Sequence, residues 1–240
     1  MFLHSGLSYP STVGLPLYPD PATSVNLFVA PDGPWSVGVG CYDGAGQEGI
    51  STGGRGPQTF LGEPADLFWI GEATVRWALR GDTLPGRLAV GAALHTGTFQ
   101  RFEGGTEKGT KSFYGVLDQA IWRERPDDAD DDEGVGVAAI VDRADADVSE
   151  AAFHSSIGIH WRGLVPDRDQ DVIGIAASWL QFSREAGFTE DYELAVELVW
   201  RVQVTPRIAL SPDVQYVVHP GGNDGLENAV VGLLRLEITL

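Results

Sequence analysis

The chain has 240 residues, with 34 acidic side chains against 16 basic ones and a formal net charge of −18. This argues against a nucleic-acid partner, which needs clustered Lys and Arg. The single cysteine excludes an internal disulfide and any CxxC pair. No apolar run approaches the ~18 residues of a transmembrane helix, so a membrane location would have to be reached with strands.

Met1–Gly6 (MFLHSG) lacks the basic, apolar and cleavage regions of a signal peptide, which read plainly implies a cytoplasmic protein. Beyond it, period-2 segments recur between turn signals and helical periodicity is hard to find. A weak strand is predicted over Phe2–Tyr9. Clear ones follow over Val25–Ala30, Trp35–Tyr42, Leu67–Arg80, Arg87–Phe99, Phe113–Arg123 and Val135–Asp142. The rest are Ala151–Arg162, Val172–Phe182, Tyr192–Val204, Arg207–Val218 and Asn228–Leu240, about twelve in all. Many reach the ~9–11 residues that cross a bilayer when tilted, against a usual strand length near ~5–6. Short turns alternate with longer, Gly-rich loops, and long loops on one rim with short turns on the other are the arrangement of outer-membrane barrels. One domain over 1–240 is expected.

The faces of these strands separate. Trp69, Gly71, Ala73, Val75, Trp77 and Leu79 alternate with Glu72, Thr74, Arg76, Ala78 and Arg80. Leu194, Val196, Leu198 and Trp200 alternate with Glu193, Ala195, Glu197, Val199 and Arg201. Aromatics near the ends of apolar faces suit interfacial girdles, and charges in mid-strand suit a wet interior. A soluble β-sandwich with solvated outer faces produces the same periodicity, so period alone leaves both open.

Motifs for chemistry are weak. Gly134-Val135-Gly136-Val137-Ala138-Ala139 fits G-x-G-x-x-A but opens a strand with no helix after it, and is read as strand glycine. The run Asp127, Asp128, Asp130, Asp131, Asp132, Glu133 lacks the Gly and Glu spacing of an EF-hand and reads as a solvated acidic turn. His154 and His160 share a face and could approach Ser156, but no acid is paired with them in local sequence. Neither a catalytic residue nor a metal or other cofactor is expected.

The ending decides between sandwich and barrel. LSPDVQYVVHPGGNDGLENAVVGLLRLEITL, from Leu210 to Leu240, resembles the C-terminal signature of the carbohydrate-selective porins, the OprB-like family. Three further blocks match in order: HSGL at His4–Leu7, YGVLDQAIWR at Tyr114–Arg123, and EDYELAVELVWRVQVTPRIALSPDVQY at Glu190–Tyr216. The resemblance implies an all-β, transmembrane antiparallel β-barrel in the outer membrane of a Gram-negative-type bacterium, passing small sugars passively. Mono- or oligosaccharides and outer-membrane lipid are its implied partners, and a homotrimer is compatible with it. The alternatives are a soluble β-rich carbohydrate-binding module and a general porin. The family has sixteen strands and an aromatic last residue, where this chain shows about twelve and Leu240. The expectation is therefore a chain lacking about four N-terminal strands, unable to function alone.

Inward positions then become candidate sugar contacts: Glu72, Arg76, Arg80, Glu193, Glu197, Arg201, Asp213, Gln215, Arg235 and Glu237. The loop Pro10–Ala22 would be a third extracellular loop, which in many porins folds inward, and this adds Tyr18 and Asp20. Asp118 and Gln119 are adjacent and must point opposite ways. Glu197→Gln, as a lumen change, is expected to be nearly neutral for folding.

Overall fold

A computed structural model of the protein describes residues 1–16, 21–128 and 131–239. Among them, eleven strands form one antiparallel sheet in chain order. The strands are β1 (Ser24–Val29), β2 (Trp35–Asp43), β3 (Leu67–Leu79), β4 (Leu84–Gln100), β5 (Thr106–Arg123) and β6 (Gly134–Ala144). They continue with β7 (Ala151–Arg162), β8 (Val172–Phe182), β9 (Tyr192–Thr205), β10 (Ile208–Val218) and β11 (Ala229–Ile238). Each pairs with its sequence neighbours, and β1 and β11 each leave one edge unpaired. The G-x-G-x-x-A stretch does open a strand, β6.

The expected twelfth strand, Phe2–Tyr9, is absent. Met1–Pro16 instead lies against one face of the sheet, with a single 3₁₀ turn at Ser5–Leu7. Its apolar residues Val13 and Leu15 pack on Phe68, Ile70 and Ala93 of β3 and β4, while Phe2 lies over Gly158 and Gly174 of β7 and β8. A Cβ at either glycine would collide with the Phe2 ring, so their missing side chains admit the segment there. The face that carries it is called the inner face below.

The register assigns every strand position to a face. Inner rows are short, polar or charged, such as Ala89, Ala93, Ser112, Asp142, His154, Ser178 and Glu197. The outer face is apolar and uncovered: Val90 is 51% exposed, Ile157 59%, Leu198 54% and Leu234 70%. Two aromatic rows border it. Near the short turns lie Trp35, Trp77, Trp122, Trp161 and Trp200. Near the long loops lie Trp69, Phe113, Phe153, Trp179 and Tyr192. The expectation that Trp69, Trp77, Trp161 and Trp200 face outward is met, and among the described residues no second sheet covers them.

The two rows have a membrane's spacing. Phe153 and Trp161 lie eight residues apart on β7, as do Tyr192 and Trp200 on β9, about 26 Å of strand at ~3.3 Å per residue. A strand tilted by ~40° reduces that to roughly 20 Å, close to the ~25 Å apolar band of outer-membrane barrels. Between the rows the outward positions are apolar, Gly or Ser155, apart from Gln119 beside Trp77 at the turn-side border. Outward Lys111 and Arg143 stand at the loop-side border, level with or beyond Phe113, so no charge faces outward in mid-band.

Candidate functional site

The inner face is crossed by the N-terminal segment, which runs from β9 to β3. At one end, Leu3 N–H and His4 N–H donate to the two carboxylate oxygens of Glu197 at 2.7 and 2.9 Å. Further on, Thr12 N–H donates to Asp142 Oδ1 at 2.6 Å. The apolar end at Val13 and Leu15 closes on β3 and β4. Backbone N–H groups of an irregular segment need acceptors when buried, and the strands supply them as carboxylates. The bar therefore rests on two inward acids with no side-chain donor of its own.

Asp142 has a second role. Its Oδ2 lies 2.6 Å from His154 Nδ1, and His154 Nε2 lies 3.0 Å from Ser178 Oγ. A carboxylate beside Nδ1 suits the tautomer that donates from Nδ1, which leaves Nε2 to accept from the Ser178 hydroxyl. Sequence pattern pointed to Ser156, which pairs in register with Ser178; the acid came from a neighbouring strand twelve residues away, beyond any local motif. Asp142, His154 and Ser178 share the connectivity of a serine-hydrolase triad. Two features remove acyl transfer. A Cβ on Gly6 would overlap Ser178 Oγ, so the segment seals the nucleophile. Ser178 also lies mid-strand, where neighbouring N–H groups belong to the β7–β8–β9 ladder rather than to an oxyanion hole. The group is an anchor.

The candidate contacts divide by exposure. Arg76 is exposed and donates to Ser36 Oγ at 3.1 Å. Glu72 is exposed and accepts from Tyr114 and Thr74 hydroxyls at 2.9 and 3.1 Å. Arg201 donates to Glu237 and Gln203, and Arg235 pairs with Glu237 at 3.0 Å. Glu193 accepts from Gly221 N–H at 2.7 Å. These line the accessible wall.

Four candidates do not. Glu197 is fully buried under the segment, and Asp213 and Gln215, 2% and 6% exposed, bond to each other beside it. Their alternation was read correctly as inward, but the segment covers them. Arg80 lies beyond the end of β3, in a turn with φ of 51°, and so leaves the wall. Tyr18 and Asp20 lie outside the described residues. Within Pro10–Ala22, Thr12, Val13 and Leu15 do fold onto the inner face, and Leu3 and His4 upstream join them there.

Asp118 faces inward and pairs with Arg87, while Gln119 faces outward and accepts from Trp77 Nε1 at 2.8 Å. The acidic turn is held internally: Asp131 accepts from the N–H groups of Arg125 and Glu133, and Arg162 pairs with Asp132. No cluster suited to a metal ion occurs among the described residues.

An apolar outer band bordered by aromatic rows, opposite a polar inner wall, is the pattern of a membrane-spanning β-sheet. The carbohydrate-selective porin, OprB family, matches residues 10–240. The chain belongs to that family. Two solved structures are similar to this porin. A high-pH structure of Pseudomonas putida OprB has a TM-score of 0.78 at 17% identity, over 92% of this chain and 59% of that one. A low-pH structure of the same protein has a TM-score of 0.59 at 16% identity, over 89% and 54%. At such identities the likeness is one of fold, and this porin chain spans a little over half the length of those proteins. No curated protein sequence matches it.

One expectation about the porin wall is reversed by these contacts. Glu197→Gln replaces one of two accepting oxygens with an NH₂ that faces a backbone N–H. A buried donor left unmatched costs about 1–3 kcal/mol. Faster amide exchange at Leu3 and His4 in the variant is the expected result. Exchange unchanged from the parent chain would show that Glu197 does not hold the segment.

Proposed function

We propose that the chain forms part of the wall of an outer-membrane channel through which small sugars diffuse passively. The observation that supports this reading best is the pairing of an uncharged outer band with an exposed inner wall of Arg, Glu, Gln and Tyr groups. Sugars offer many hydroxyls and no charge. Planar guanidinium and carboxylate groups bridge neighbouring hydroxyls, each bond being modest because water competes. Glu72 with Arg76, and Arg201 with Glu237, place opposite charges on one wall and orient hydroxyl dipoles without selecting an ion of either sign. The N-terminal segment narrows the passage in front of them.

We further infer that the passage is closed by additional strands. The unpaired edges of β1 and β11 would leave backbone groups in lipid without partners, at several kcal/mol each. Outer-membrane lipid against the outer band, and sugars within, are the partners in this reading.

Transport requires weak binding, because a tightly held sugar blocks its own route. Affinity near millimolar, about −4 kcal/mol, is expected. In planar bilayers the closed channel should lose conductance in millimolar glucose or maltose, and Arg76→Ala should weaken that block. Current unaffected by sugar ~100-fold above that concentration would leave only a general porin.

A further inference from the structure

The inner face carries a second feature at its short-turn end. A cleft of about 640 Å³ opens there, lined by Arg76, Arg87, Arg123, Arg162, Asp118 and Asp132 among others. Four guanidinium groups face two carboxylates, a local excess of two positive charges in a chain of net charge −18. We propose that this cleft is a subsite for the anionic group of a charged sugar, a carboxylate or phosphate carried on a hexose. The proposal rests on the sugar-channel reading above and adds a substrate class to it.

The pairing of guanidinium groups inside the cleft is incomplete. Arg87 is satisfied by Asp118 through bonds of 3.0 and 2.5 Å. Arg162 pairs with Asp132 and donates to Gln170 at 2.6 Å, yet its Nε is buried with no acceptor. Arg76 has only the Ser36 hydroxyl. The Arg123 side chain has no ion pair or hydrogen bond among the described residues. The two carboxylates of the cleft thus pair with Arg87 and Arg162 and leave Arg76 and Arg123 without an anionic partner.

Register brings those donors together. Arg123 pairs with Gly134, and Gly134 pairs with Arg162, so the two arginines stand either side of a residue without a side chain. At ~4.8 Å between strands their Cα atoms are roughly 10 Å apart, which long side chains can close around one ligand group. Guanidinium forks match carboxylate and phosphate oxygens in pairs, and charge-assisted bonds are roughly twice as strong as neutral ones. A cleft with low-dielectric walls concentrates that preference. A neutral hexose would leave the excess charge unmatched.

The test is block of single-channel current by glucose, glucuronate and glucose 6-phosphate in low salt, using the closed channel. Both anionic sugars should half-block at about tenfold lower concentration than glucose, equivalent to ~1.4 kcal/mol, and the gap should shrink as KCl is raised. Arg123→Gln should bring the ratio to within about threefold, and Arg123→Lys, which keeps the charge but not the fork, should retain only part of it. Block by only one of the two anionic sugars would support the subsite and identify which anion it accepts. Equal half-block by glucose and both anionic sugars would overturn the subsite while leaving the sugar channel standing. An unchanged ratio in Arg123→Gln would overturn its placement. No block by any of the three would remove both readings.

Discussion

Val196→Arg is expected to destabilise the folded wall by about 2–4 kcal/mol, the cost of an arginine at the middle of the bilayer. Val196 lies halfway between the outward Tyr192 and Trp200 and faces outward with Ala177 and Tyr216 as its register partners. No outward acid lies between the aromatic rows to receive the guanidinium. Snorkelling would have to carry it about half the height of the band. A denaturant titration of the refolded channel in lipid, at fixed lipid composition, measures the difference. A cost below ~0.5 kcal/mol, comparable to a substitution at the membrane border, would mean that this face does not meet hydrocarbon.

Asp142→Ala is the corresponding test of the inner face. The carboxylate accepts from Thr12 N–H and from His154 Nδ1, and Asp142 and His154 are both buried. Alanine leaves two buried donors without partners, each at about 1–3 kcal/mol, or some 2–6 kcal/mol together. The loss should be divided between wall and segment: reduced unfolding free energy, and faster exchange of the Thr12 amide. A released segment should also raise single-channel conductance, because the bar would no longer be held across the passage. Asp142→Asn should retain part of the effect, since its one carbonyl oxygen can serve Thr12 while its NH₂ opposes the His154 Nδ1 proton. If Asp142→Ala left stability, exchange and conductance all unchanged, the anchoring role would be wrong.

Much of this wall was legible in the residues. Strict alternation on β3, β7 and β9 identified which tryptophans face outward, because a strand's side-chain period is two and one register satisfies a one-sided apolar face. Strand length pointed to a membrane before any resemblance did. Phe2–Tyr9 was misread as a strand: it meets the inner face through the consecutive N–H groups of Leu3 and His4 and a 3₁₀ turn, which no period of two reports. Arg80 failed at an element boundary, where a positive φ ends β3 one residue early.

By itself, then, the sequence determined the strands, their faces and the family, since these depend on local period and on blocks of contiguous residues. Tertiary structure alone decided what the inward residues do. Asp142, His154, Ser178 and Glu197 meet each other or the N-terminal segment across 12 to 194 positions of chain. Arg123 and Arg162 become neighbours only through Gly134. No local pattern encodes such meetings, because inter-strand register places groups about 5 Å apart whatever their separation along the chain. An inward carboxylate looks the same in sequence whether it meets water, sugar or the protein's own backbone.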